Sequence, residues 1–105
     1  MSDISVEELA AWMAAGRPFT LLDVREDHEV KAAALPGAVH IPMRDVPARA
    51  AELPRSQPVV VLCHHGGRSE RVTGFLKMQG FEHAVNLDGG IDAWSLRVDP
   101  SVPRY

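Results

Sequence analysis

Short, largely apolar runs alternate with helix-forming stretches along this chain, and that alternation constrains its fold more than any other feature. The runs are TLLDV at 20–24, AVHI at 38–41, PVVVL at 58–62 and the Ala84–Leu87 segment. A near-continuous apolar run belongs to a strand covered on both faces, the condition of a parallel sheet. Before the first run, Ser5 and Glu8 form an S-x-x-E capping box ahead of Leu9, Trp12 and Met13, which predicts a short amphipathic helix ending near Gly16. Residues 26–34 are helix-prone up to Pro36-Gly37, and 44–53 read as a helix with Pro47 in its first turn and Pro54 as its stop. Ser69 to Gln79 forms a helix facing Val72, Phe75 and Leu76 to the core, with Gly80 as its stop. Gly89-Gly90 turns the chain into a last helix around Ile91 to Leu96, and the tail DPSVPRY is irregular. Strands alternating with helices predict an α/β fold with a parallel sheet and helices on both faces.

Length and charge narrow the function classes. With 105 residues and neither repeat, linker nor low-complexity segment, one domain over 1–105 is expected. A chain of this size buries roughly two-thirds of its unfolded surface, so it needs no disulfide or metal to fold. Its one cysteine allows no internal disulfide. A net charge of -3 with no basic block speaks against nucleic acid as a partner. MSDISVEELA carries acids where a signal peptide carries bases, and no apolar stretch approaches the roughly 20 residues of a bilayer span. A cytoplasmic monomer with no cofactor and no membrane partner is expected.

The chemistry concentrates at CHHGGRS, residues 63–69, where the strongest strand runs into a helix. Active sites of open α/β sheets lie at the carboxyl ends of strands. Asp23 and Asp88 end two other strands and are expected beside Cys63. The first N–H groups of a helix lack intrahelical partners, and its dipole places partial positive charge there. Gly66 and Gly67 let the backbone present amides with no side chain in the way, forming an anion nest, and Arg68 adds a planar cation. A thiol at the mouth of such a loop is favoured as thiolate. The simpler alternative for Cys63 is a small buried hydrophobe. No G-x-x-x-x-G-K-[ST] supports a nucleotide loop, and the adjacency of Cys63, His64 and His65 does not fit zinc-ligand spacing, so no metal site is expected.

The elements ISVEEL, LLDVRE at 21–26, LPGAVHIP at 35–42, CHHGGRS at 63–69 and NLDGGIDAW at 86–94, in this order, resemble the rhodanese-like domain family of sulfurtransferases over nearly the whole chain. The resemblance implies a three-layer α/β fold with a five-stranded, mainly parallel sheet flanked by helices on both faces. It implies that Cys63 carries sulfur and that Cys63 to Arg68 form the active-site loop. Sulfurtransferases of the family have a loop of six residues, as here, whereas the related phosphatases and arsenate reductases have seven, making room for a tetrahedral oxyanion. The chain departs from the family where its usual histidine is Ala34, which bears on local packing.

The activity so implied is thiosulfate sulfurtransfer. Cys63 takes the outer sulfur of thiosulfate or a similar donor, the amides of His64 to Ser69 stabilise the persulfide, and a thiol, cyanide or a protein thiolate removes it. Arg68 is expected to orient the anionic donor. His64 and His65 either shape the pocket or are simple exposed loop residues. Asp23 and Arg25 read as a pair supporting the loop. His28, His40 and His83 read as surface or structural residues, and Trp12 and Trp94 as core aromatics. The alternative is a protein-to-protein sulfur-relay module with incidental thiosulfate activity. A phosphatase disagrees with the loop length, and an inactive regulatory domain disagrees with the retained cysteine.

Overall fold

The computed structural model describes residues 3–105. Strands β1 (Asp3–Ile4), β2 (Thr20–Asp23), β3 (Val39–His40), β4 (Val59–Leu62) and β5 (Ala84–Leu87) form one sheet in the order β1-β5-β4-β2-β3, and every pair is parallel. Helices α1 (Val6–Ala14), α2 (Asp27–Ala32), α3 (Val46–Arg49) and α4 (Gly67–Met78) connect them, and α5 (Gly90–Arg97) follows the last strand. This is the expected α/β fold. No helix among the described residues is long and apolar enough to cross a membrane.

β4 lies in the middle of the sheet, and the two-residue period of a strand sorts its side chains between two cores. Val60 and Leu62 join Leu21, Leu87 and the buried faces of α1 and α5. Val59, Val61 and Cys63 join Leu22 and Val24 with Val72 and Leu76 of α4. The same alternation therefore carries Cys63, the first residue past the strand, onto the α4 side.

Several boundaries differ from the sequence expectation. β1 was not expected, because two residues are too few to show a pattern, and it forms by pairing with Asn86 and Leu87 of β5. The expected strand 38–41 shrinks to Val39–His40, which is paired on one side only. The expected helix 44–53 divides into a 3-10 turn at Met43–Asp45, the single α turn of α3 and a second 3-10 turn at Ala50–Glu52. Pro47 sits in the first turn of α3, where the missing N–H costs nothing. The Ser5–Glu8 capping box forms as expected, with the Glu8 amide donating to Ser5 Oγ at 3.0 Å. Met13, expected on the core face of α1, is 39% exposed, and Trp12 is half-buried under Arg17, whose guanidinium lies 4.1 Å from its ring centroid. Trp94 is a core residue as expected.

Candidate functional site

Cys63 stands one residue past Leu62, which pairs with Asp23 of β2. The chain then reverses through His64, His65 and Gly66 into α4. Gly66 has φ +110°, a conformation open to glycine and strained for other residues, and it caps the helix. This geometry turns the Gly66 amide back toward the cysteine, to which it donates at 3.0 Å from Sγ. Ser69 Oγ lies 3.3 Å from the same sulfur and donates to Asn86 Oδ1 of β5. Cys63 is only 1% exposed, so the thiol lies beneath the loop rather than at its mouth. Its surroundings are nevertheless mixed: apolar side chains of the α4-side core on one side, an amide and a hydroxyl on the other.

The loop carbonyls face α5. The Ile91 amide donates to Cys63 O at 2.9 Å and the Asp92 amide to His64 O at 3.1 Å. In a trans peptide the carbonyl and the next N–H point in opposite directions. The amides of His64 and His65 therefore point away from α5. The amides of Gly67, Arg68 and Ser69 open the first turn of α4, where the helix has no acceptor for them. The start of α5 thus turns the loop, and the start of α4 supplies its donors.

Arg68, expected to orient an anionic donor, is engaged by a carboxylate of the protein. Its Nη1 and Nη2 donate to Glu29 Oε1 at 2.6 Å and Oε2 at 2.8 Å, a bidentate pair that bridges α4 and α2. These hydrogen bonds hold the Glu29 carboxyl well below the usual carboxylate range and raise the Arg68 guanidinium. A cation at a helix N-terminus is unfavourable, and the buried Glu29 offsets it.

Asp23 and Arg25 form the expected pair, at 1% and 0% exposure, with Arg25 Nη2 donating to Asp23 Oδ2 at 2.6 Å and Nε to Oδ1 at 2.9 Å. Arg25 also donates to Ala33 O at 2.8 Å, Glu29 O at 3.3 Å and the Tyr105 hydroxyl at 2.9 Å. None of these Arg25 bonds reaches residues 63–68 directly; Glu29 and Tyr105 are the neighbours it shares with the loop. Asp88 does not join Cys63: it is exposed and its amide donates to Ile4 O, while Asn86 two residues earlier reaches Ser69.

The two loop histidines differ. His64 is sandwiched between Tyr105 and His65, both at 3.9 Å between ring centroids, and burial followed by the neighbouring His65 pushes its imidazole below the usual histidine range. His64 Nε2 is buried without a hydrogen-bond partner among the described residues. His65 is 68% exposed, with Nδ1 3.8 Å from Asp92 Oδ2. His28 and His83 are exposed, and His40 Nε2 lies 2.7 Å from Arg25 O, in keeping with structural roles. Ala34, at the family's histidine position, is exposed. Glu29, Asn86, Asp92 and Tyr105 escaped the sequence reading; only Gly89-Gly90, a visible turn, marked the α5 side of the site.

Comparison with known proteins agrees with this architecture. The family model described as a rhodanese-like domain matches residues 5–97. A sulfurtransferase of Allochromatium vinosum is 34% identical over 90% of this chain and 89% of its own. A sulfur-carrier candidate of Bacillus subtilis, YrkF, is 37% identical over 89% of this chain. The chain spans 50% of that protein, and 38% of a chloroplast rhodanese-like/PpiC domain-containing protein of Arabidopsis thaliana to which it is 41% identical. The crystal structure of a Staphylococcus aureus rhodanese-like domain protein superposes with a TM-score of 0.87 at 30% identity, covering 100% of this chain and 99% of the other. The match of the rhodanese-like domain model to residues 5–97, together with the relative of Allochromatium vinosum and the shared fold of the Staphylococcus aureus protein, places the chain in the rhodanese-like domain family.

Proposed function

We propose that the chain transfers sulfane sulfur through a persulfide on Cys63. The Cys63 thiolate attacks the outer sulfur of thiosulfate, the S–S bond of the donor breaks, and sulfite leaves with the electron pair. Cys63–S–S⁻ remains. A nucleophile, cyanide in an assay or a thiolate in the cell, then takes the terminal sulfur and returns the thiolate. The observation that carries this reading is the Gly66 amide 3.0 Å from Cys63 Sγ, at the N-terminus of α4, in a loop of six residues. Amide donors and the helix dipole there favour the negative charge that moves between thiolate and persulfide. In the first step Sγ itself must meet the donor's outer sulfur, so the loop that covers it has to admit that one atom. Arg68, held by Glu29, braces the loop rather than drawing in the donor.

Intact mass after thiosulfate treatment tests this. A gain of one sulfur, reversed by cyanide and absent in Cys63→Ser, is expected. No gain with any sulfane donor would sink the proposal. The relationship to the sulfur-carrier candidate YrkF favours a second reading, relay from one protein to another. The single cysteine leaves no thiol in the chain to resolve its own persulfide, so sulfur passes to another molecule. Slow, unsaturable turnover of thiosulfate beside fast transfer from a persulfidated protein would select the relay.

A further inference from the structure

The last segment of the chain folds back over the site. The Asp99 and Val98 amides donate to Trp94 O at 2.9 Å, Val102 is buried, and Ser95 Oγ donates to Val102 O at 2.5 Å. Arg104 Nε donates to Asp92 Oδ1 at 3.0 Å. These contacts bring Tyr105 onto the loop. Its ring stacks on His64 at 3.9 Å with planes 9° apart. Its hydroxyl accepts from Arg25 Nη1 at 2.9 Å and donates to Glu29 Oε2 at 2.9 Å, the oxygen that also receives Arg68 Nη2.

We propose that Tyr105 is a positioning residue for the Cys63 loop. The ring holds the residue next to the cysteine from above, and the hydroxyl holds the carboxylate that fixes Arg68 at the start of α4. One side chain thus braces both ends of the loop. His64 and Arg68 each have a further neighbour, His65 and Glu29, and Tyr105 joins the two halves through its ring and its hydroxyl. The brace bears on sulfur transfer only if the persulfide reading holds, so its test includes a measurement independent of that reading.

The test compares wild type with Tyr105→Phe and Tyr105→Ala. Alkylation of reduced Cys63 by iodoacetamide reports access to the buried thiol without any sulfur chemistry. With the loop released, Tyr105→Ala should be alkylated about 10-fold faster than wild type, and its thiosulfate kcat/KM should fall by about 10- to 100-fold, chiefly in kcat. Tyr105→Phe keeps the stack and loses the hydroxyl, so it should fall between the two in both readouts. The upfield ring-current shift of the His64 imidazole protons should survive in Tyr105→Phe and shrink in Tyr105→Ala, where only His65 still stacks on it. Wild-type alkylation rates in both variants would overturn the proposal. If Tyr105→Ala fails to fold, wild-type alkylation and kinetics in a folded Tyr105→Phe would overturn the hydroxyl's role. Faster alkylation in a protein that never gains sulfur would keep the brace and remove the sulfurtransferase reading.

Discussion

Gly90 has φ +61°, and a Cβ built there would lie 2.4 Å from Cys63 O and 2.5 Å from His64 O. Both are backbone atoms, so relief requires the loop to move. Gly90→Ala is expected to cost about 1–3 kcal/mol from the strained conformation alone. On the proposed persulfide mechanism, displacing the loop should lower thiosulfate kcat/KM by about 100-fold. Urea unfolding and steady-state kinetics measure the two. Gly67 makes the contrast: its added methyl meets nothing within 4 Å, and Gly67→Ala should match or exceed wild-type stability. Equal stability of the two alanine variants would contradict the close approach of α5 to the loop. Gly66 and Gly90 stood out in the sequence as glycine pairs, yet their division of labour did not. Which glycine faces a carbonyl depends on what packs against it, and for Gly90 that is the Cys63–His64 backbone of the loop.

Helix α4 is held to α2 by Arg68 and Glu29, and this pair sets an acid dependence. The Glu29 carboxyl is depressed in the folded protein, first by the Arg68 hydrogen bonds. A depressed carboxyl contributes stability above its unfolded value and loses it as pH falls through the folded one. Wild type should therefore be more stable than Glu29→Gln at pH 7, and the gap should narrow progressively as the solution is taken below the ordinary glutamate range. Thermal unfolding across pH 7 to pH 2 measures it, and a gap that stays constant would refute the assignment. At the other end of the chain, Ser5→Ala should cost about 1 kcal/mol in urea unfolding by removing the α1 cap. The Ser5 cap was legible because both partners lie within one helical turn. Glu29 was not, because it lies 39 residues from Arg68 and nothing local distinguishes it from a solvated helix carboxylate.

Arg25 connects more of the molecule than any local pattern suggested: β2 through Asp23, α2 through Glu29 O, the segment after it through Ala33 O, and the tail through Tyr105. With Arg25 and Asp23 at 0% and 1% exposure, Arg25→Met leaves a buried carboxylate uncompensated, at a cost of about 3–5 kcal/mol. The double variant Asp23→Leu/Arg25→Met should recover much of that loss, and urea unfolding of the four-member cycle gives the coupling. Single losses that simply add in the double variant would mean the pair is not coupled. By itself the sequence determined the alternating order of β2 to β5 with the helices between them, the parallel sheet, and the cysteine between the most strand-like run and a helix. These follow from periodicity, turn residues and spacing, all of which act within a few residues. Only the tertiary structure decided that Arg68 faces Glu29, that Asn86 rather than Asp88 reaches Ser69, that the thiol is buried, and that Tyr105 lies on His64. Those contacts join residues far apart in the chain, and a charge or ring has many sterically allowed partners until the packed sheet brings one of them within hydrogen-bonding distance.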